Sequence, residues 1–253
     1  MTGWKIFSHS LNMVLRNIGW AFRIALVPVL LAGVVFAGLL WQDFSYLSEI
    51  TGAGEQPLSS APSGFGLKLF LAIIVFFVLE LWVFVAWHRF VLLEEYPTGW
   101  IPPFHFDRIL AYFGRGLMFG LILGVSWMLV ALLLVAFAQV SQAIAVLLGI
   151  AALVALGLFA FRLLPMFAAA AIGRPLTLSE SIDATKGSAG AAILLFVVLA
   201  IVQIGLQLVT AASMAIFAPL GIVFSLGTIF VMTMANVSIL TTVYGHYVEK
   251  RPI

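Results

Sequence analysis

The chain has 253 residues, a formal net charge of +2, a hydrophobic fraction of 64% and a charged fraction of only 9%, with a mean hydropathy of +1.19. Soluble domains carry about 25% charged residues, so a soluble globular fold is excluded. Cysteine is absent, which excludes disulfides, thiolate metal sites and cysteine nucleophiles.

Six segments are long and apolar enough to cross a bilayer, which takes about 20 residues each. They lie near 18–40, 67–92, 113–138, 143–171, 189–213 and 217–244. The short alternating strands of a barrel are not seen. The sequence therefore predicts an all-α, polytopic membrane protein with six transmembrane helices in one integral domain, 1–253.

Taken in chain order, residues 5–16, KIFSHSLNMVLR, place Ile6, Leu11, Val14 and Leu15 at roughly helical spacing, with Lys5, His9, Asn12 and Arg16 between them. This predicts an amphipathic helix in the membrane interface, entering helix 1 near Asn17. The first apolar run is longer than a signal-peptide core and lacks a small-residue cleavage site, so it reads as a retained helix. The loop Trp41–Gly66 carries Asp43, Glu49 and Glu55 in a Gly/Ser/Pro-rich stretch and is expected to be flexible.

Helix 2 carries Glu80 near its middle, between FFVL and LWVF. A charge at the bilayer centre costs about 2.5–3.5 kcal/mol on insertion scales. Glu80 is therefore either a proton, cation or ligand site, or the partner in one interhelical hydrogen bond to Gln203, Gln207 or Asn236. The helix ends in the elbow WHRFVLLEEYPTGWIPP, residues 87–103. There Arg89 is expected to snorkel to lipid phosphates. Glu94 and Glu95 lie beyond the lipid, and Pro97, Pro102 and Pro103 turn the chain.

FDRILAYFGRG, 106–116, predicts a second interfacial segment before helix 3. Gly116, Gly120 and Gly124 then share one face of helix 3 at a spacing that admits a close helix; internal packing is favoured over dimerisation. Helix 4 runs to Arg162. TLSESIDATKG, 177–187, predicts a third interfacial helix, with Thr177 or Ser179 as N-cap and Gly187 as its break. Gln203 and Gln207 share a face of helix 5, and Asn236 lies in helix 6. Amides at such depth usually bond across helices, for about 0.6 kcal/mol on average; with Glu80 they would also line a polar site.

Eleven of the twelve Lys and Arg residues fall on one side of this six-helix layout; only Lys68 is opposite. The positive-inside rule then predicts that both termini are cytoplasmic. The basic residues flank membrane spans rather than forming a patch, which argues against nucleic acid. His9, His88, His105 and His246 show no ligand spacing, and G-x-S-x-G, Walker A and G-x-G-x-x-G motifs are absent. No catalytic residue, metal or cofactor is expected. Trp4, Trp20, Trp41, Trp87 and Trp100 fall near predicted interfaces, as an aromatic belt would.

A shift of 73 residues aligns the chain with itself without a gap. Arg89 meets Arg162, Pro102 meets Pro175, Ile109 meets Ile182, Ala111 meets Ala184, and Gly114 meets Gly187. Such a shift spans two crossings, so the copies run parallel. The expectation is three repeats of interfacial helix plus transmembrane hairpin, near 1–92, 104–172 and 177–246.

The stretch FRLLPMFAAAAIGRPLTLSESIDATKG, 161–187, combines an Arg, a Pro three residues on, an apolar helix end and a Ser-rich segment closing on Lys-Gly. It resembles the elbow of bacterial six-helix membrane proteins of the YciC-like type, a group that includes the membrane domain fused to some glycerophosphodiester phosphodiesterases. The resemblance implies the fold and a bacterial inner-membrane location. The phosphodiesterase activity does not carry over, because the Glu, His and Asp cluster for its metal site is missing. The expected role is that of a non-enzymatic lipid-contacting or complex-assembly accessory. Arg89, Arg162, Arg174 and Lys186 would meet anionic headgroups, each contributing on the order of 1 kcal/mol, and other membrane subunits are candidate partners. The alternative is a small-solute or proton-linked transporter centred on Glu80, Gln203, Gln207 and Asn236.

Overall fold

The computed structural model describes residues 2–51 and 60–253. The middle of the predicted flexible loop, with Glu55, lies outside them. Of the described residues 84% are helical, and none lies in a strand. Among the described residues six helices are long and apolar enough to cross a membrane.

In chain order the helices are α1 (Thr2–Arg16), α2 (Ile18–Leu40), α3 (Phe44–Thr51), α4 (Phe65–Leu93), α5 (Phe106–Ala138), α6 (Gln142–Leu163), α7 (Pro165–Ala171), α8 (Leu178–Ala184), α9 (Ala189–Ile216) and α10 (Ala218–Tyr247). A 3₁₀ turn, Trp41–Asp43, joins α2 to α3. The crossings form three hairpins: α2 with α4, α5 with α6, and α9 with α10. One end of the molecule gathers α1, α7, α8, the 94–105 elbow and both ends of the chain; we refer to it as the basic end.

Each break has a local cause. Asn17 departs from helical geometry and bonds back through Nδ2 to the Met13 carbonyl at 2.8 Å, separating α1 from α2. Glu94 takes the left-handed conformation (φ 55°) that closes α4, and the prolines that follow keep the elbow non-helical. Thr177 caps α8, with Glu180 completing the capping box, and Gly187 (φ 78°) turns the chain into α9.

Three expectations need correction. Predicted helix 4 is two helices, because Pro165 has no N–H to continue the ladder; it stands instead at the first turn of α7, where none is needed. The predicted interfacial segment 106–116 does not stand apart, since nothing interrupts α5 from Phe106 onward and its first turns bury Ile109 and Tyr112 against α4 and α7. The third segment shrinks to the seven residues of α8. The three units are thus not equivalent at this end. α1 is a separate helix as expected, but it is docked rather than only interfacial: Gly3, Ile6, Phe7, Ser10 and Val14 form a buried stripe facing α9 and α10.

The core sits at the basic end. Val14, Ala21, Ile24, Trp87, Phe90, Met234 and Val237 form one buried cluster. Ile6, Phe161, Leu195, Ile239 and Val243 form a second. Ala168 and Ala169 of α7 pack against Leu92 and Tyr244 in another; side chains this small let α7 approach α4 and α10 closely. Away from this end the helices part. The α2/α4 hairpin stays packed through Leu40, Phe65 and Ala72, but no residue in the most apolar 18-residue stretch of α5 is buried. The α5/α6 and α9/α10 hairpins thus extend as helix pairs from a shared base.

Candidate functional site

The last turns of α4 carry a fully buried polar group. Trp87 and His88 are both 0% exposed and both face α10. Ser238 and Thr241 lie three residues apart on α10, so they share a face. Each hydroxyl donates to the carbonyl four residues back, Ser238 to Met234 at 2.8 Å and Thr241 to Val237 at 3.1 Å. Their lone pairs are left for α4. Trp87 Nε1–H donates to Ser238 Oγ at 2.8 Å. His88 Nδ1 is 2.8 Å from Thr241 Oγ1, whose own proton is already committed, so the network assigns the proton to Nδ1. His88 Nε2 is then an acceptor for the Tyr112 hydroxyl of α5, at 3.4 Å. On the adjoining face of α10, where α1 packs, Ser10 and Thr242 share a buried hydrogen bond of 2.8 Å.

Glu80 is half-buried near the middle of α4, and its carboxyl interacts electrostatically with Tyr112. Tyr112, His88 and Thr241 therefore form a hydrogen-bonded polar series across α5, α4 and α10, with Glu80 on α4 near enough to act on Tyr112 electrostatically. Tyr112 has one proton to offer, and here it points to His88. The amides expected beside Glu80 are elsewhere. Gln203, Gln207 and Asn236 are all exposed, and among the described residues none hydrogen-bonds Glu80. Their faces of α9 and α10 point away from the packed base.

The elbow is a closed polar cluster. Arg89 Nε donates to Glu95 Oε2 at 2.8 Å, and Nη1 reaches the Ala171 carbonyl at 3.4 Å. His105 Nε2 lies 2.6 Å from Glu95 Oε1. Burial works against the Glu95 charge, but the bonds from Arg89 and His105 outweigh it and hold the carboxyl below its ordinary range. Arg89 is thus engaged by protein, with its side chain only 15% exposed. Arg162 is half-buried. Arg174 and Lys186 project outward, Arg174 toward Glu249 at 3.7 Å and Lys186 toward Asp183 at 2.9 Å.

Of the three helix-packing glycines, Gly116 alone has a neighbour in reach, the Phe167 ring of α7. A side chain added at Gly120 or Gly124 would meet open space. The expected internal packing of this glycine face ends at Gly116, because at Gly120 and Gly124 the face meets no neighbouring helix. Trp87 also departs from expectation: it is buried in the core, whereas Trp4, Trp41 and Trp100 are exposed. At the opposite end Lys68 Nζ pairs with the buried Asp43 at 2.8 Å.

His88, Tyr112, Ser238 and Thr241 escaped sequence reasoning. The available signal was the run Ser238, Thr241, Thr242 at helical spacing in an otherwise apolar span. No group of three or more His, Asp or Glu placed to hold a metal occurs among the described residues. No protein-family model, curated protein or solved structure matches the chain.

Proposed function

We propose that this integral membrane protein is a non-enzymatic, lipid-contacting accessory, anchored with its basic end at the cytoplasmic face of a bacterial inner membrane. One observation carries the reading: packing is concentrated at the basic end, while the α5/α6 and α9/α10 hairpins expose apolar side chains over their distal halves, including Leu121, Leu129, Leu147, Ile201, Leu208 and Leu226. In a bilayer those surfaces are covered by acyl chains or by another membrane helix, and association there rests on packing, since lipid is as apolar as leucine. Arg174 and Lys186 supply exposed positive charge at the level of anionic headgroups. The YciC-like resemblance is consistent with this role.

Native mass spectrometry of the gently extracted protein tests the reading. Retained phospholipid on a lone chain is expected. A lipid-free chain would overturn it, and a second protein in fixed ratio would redirect it to complex assembly.

A second reading, proton-linked transport, is favoured by the series Tyr112, His88 and Thr241 and the Glu80 carboxyl that acts on it. In this reading Glu80→Gln abolishes proton-coupled flux in proteoliposomes. Flux that persists in that variant would remove Glu80 from the mechanism.

A further inference from the structure

Between the first turns of α5 and the chain leaving α7 lies a groove of about 350 Å³, lined by Arg108, Ala111, Arg115, Met118, Ala170 and Pro175. Arg108 and Arg115 are seven residues apart, two turns on one helix face, so they stand about 10 Å apart along the axis. The Arg108 guanidinium is seated on the turn at Gly173. That residue has φ 79°, and a Cβ there would fall 2.7 Å from Arg108 Nη1, so a glycine is required for both reasons. The other partner of Arg108 is the exposed Asp107, at 2.9 Å from Nε. Arg115 has no hydrogen-bond or ion-pair partner among the described residues.

Depth identifies the ligand chemistry. Residues 116–138 carry no charged side chain, 23 in all. At 1.5 Å per residue they span about 34 Å, close to the about 30 Å of a hydrocarbon core. Arg115 is the residue immediately before that span, which is the depth of lipid phosphates. Arg108 lies two turns further toward water. Ala111, Met118, Ala170 and Pro175 give the groove an apolar wall beside the two cations. A free phosphate would match the cations but leave that wall unused.

We propose that this groove binds one anionic glycerophospholipid, its phosphate held by Arg115 and Arg108 and its glycerol and acyl portion against Met118 and Ala170. The site rests on the lipid-contacting reading above and makes it specific: one site, one headgroup charge class, two named arginines outside the general basic rim.

The test is titration of phosphatidylglycerol in phosphatidylcholine nanodiscs, read by native mass spectrometry, for the full chain and two double variants. Each arginine is expected to contribute about fivefold, from about 1 kcal/mol per cation near the surface. Arg108→Gln with Arg115→Gln should lose about 25-fold in affinity for the tightest phosphatidylglycerol, while Lys5→Gln with Arg16→Gln, which removes two exposed cations of α1, keeps it. Arg115→Lys, retaining charge, should stay within about twofold, well short of the loss of one arginine, and shows that loss is not misfolding. If the Arg108/Arg115 variant retains the lipid as well as the unmodified chain does, the groove proposal fails and the general reading stands. If the unmodified chain retains no lipid, both fail. If inorganic phosphate displaces the bound species and phosphatidylglycerol does not compete with it, the groove is a phosphate site and the lipid assignment is overturned.

Discussion

Thr241 Oγ1 stands 2.8 Å from His88 Nδ1, inside a contact between α4 and α10 from which both residues exclude solvent. Thr241 already donates to Val237, so it serves His88 only as an acceptor. Valine has nearly the same shape and no acceptor. Thr241→Val should leave the His88 N–H unpaired and cost about 1 kcal/mol, within the range for lost buried hydrogen bonds in membrane proteins. Thr241→Ser should retain the bond and most of the stability. Thermal unfolding in detergent distinguishes the two; equal midpoints for Thr241→Val and the unmodified chain would mean the bond contributes nothing net.

The elbow should be acid-sensitive in one direction. An ordinary Glu titrates near about 4.3, and Glu95 is held below its ordinary range by Arg89 and His105. The folded state therefore binds fewer protons at Glu95 than the unfolded chain does. Its stabilisation is complete above the unfolded value and is lost as pH falls through the folded one. Glu95→Gln should be less stable than the unmodified chain by about 1 kcal/mol at pH 7. That gap should close below about pH 4. A gap that widened in acid would contradict the assignment.

The spans were readable because a long uncharged run has few alternatives in a membrane protein. The turns were readable where a single residue dictates them: Thr177 with Glu180 at a helix start, Gly187 at a left-handed position, the prolines after Glu95. What the sequence concealed is which face of each apolar helix meets protein. In lipid both faces are apolar, so Trp87 looks like a belt residue although it is in the core, and Gly120 looks like a packing residue although it faces open space. Glu80 was conspicuous as the charged residue in the middle of its span. Its neighbour Tyr112 was not, because a Tyr on a helix beginning at the interface is ordinary. The pairing of His88 with Thr241 joins residues 153 positions apart, and local pattern carries no trace of it.

The one cation on the opposite side of the layout has a specific role there. Lys68 Nζ is 2.8 Å from the Asp43 carboxylate, and the Asp43 side chain is almost wholly buried. Removing the cation strands a buried carboxylate, which is worse than removing both groups. Lys68→Met should destabilise by about 2 kcal/mol. Asp43→Asn in the same chain should restore most of that loss. The comparison of the single and double variants by thermal unfolding isolates the coupling; a double variant no better than Lys68→Met would show that the pair does not couple α4 to the 3₁₀ turn.

Two glycines should respond oppositely to the same added methyl. At Gly3 a Cβ would run into the Ala191 carbonyl oxygen and come within 2.9 Å of the Leu195 backbone nitrogen. Neither is a flexible side-chain end, so α1 must lift from α9. Gly3→Ala should destabilise by about 1–3 kcal/mol, the usual range for overpacking, and should expose α1 to protease. At Gly120 nothing lies within 4 Å. There the methyl meets no clash and helix propensity improves, by up to about 1 kcal/mol. Gly120→Ala should therefore be neutral or stabilising in the isolated protein. If it destabilised as much as Gly3→Ala, the Gly120 face would be packed against protein, and α5 would be an interface rather than a lipid-facing span.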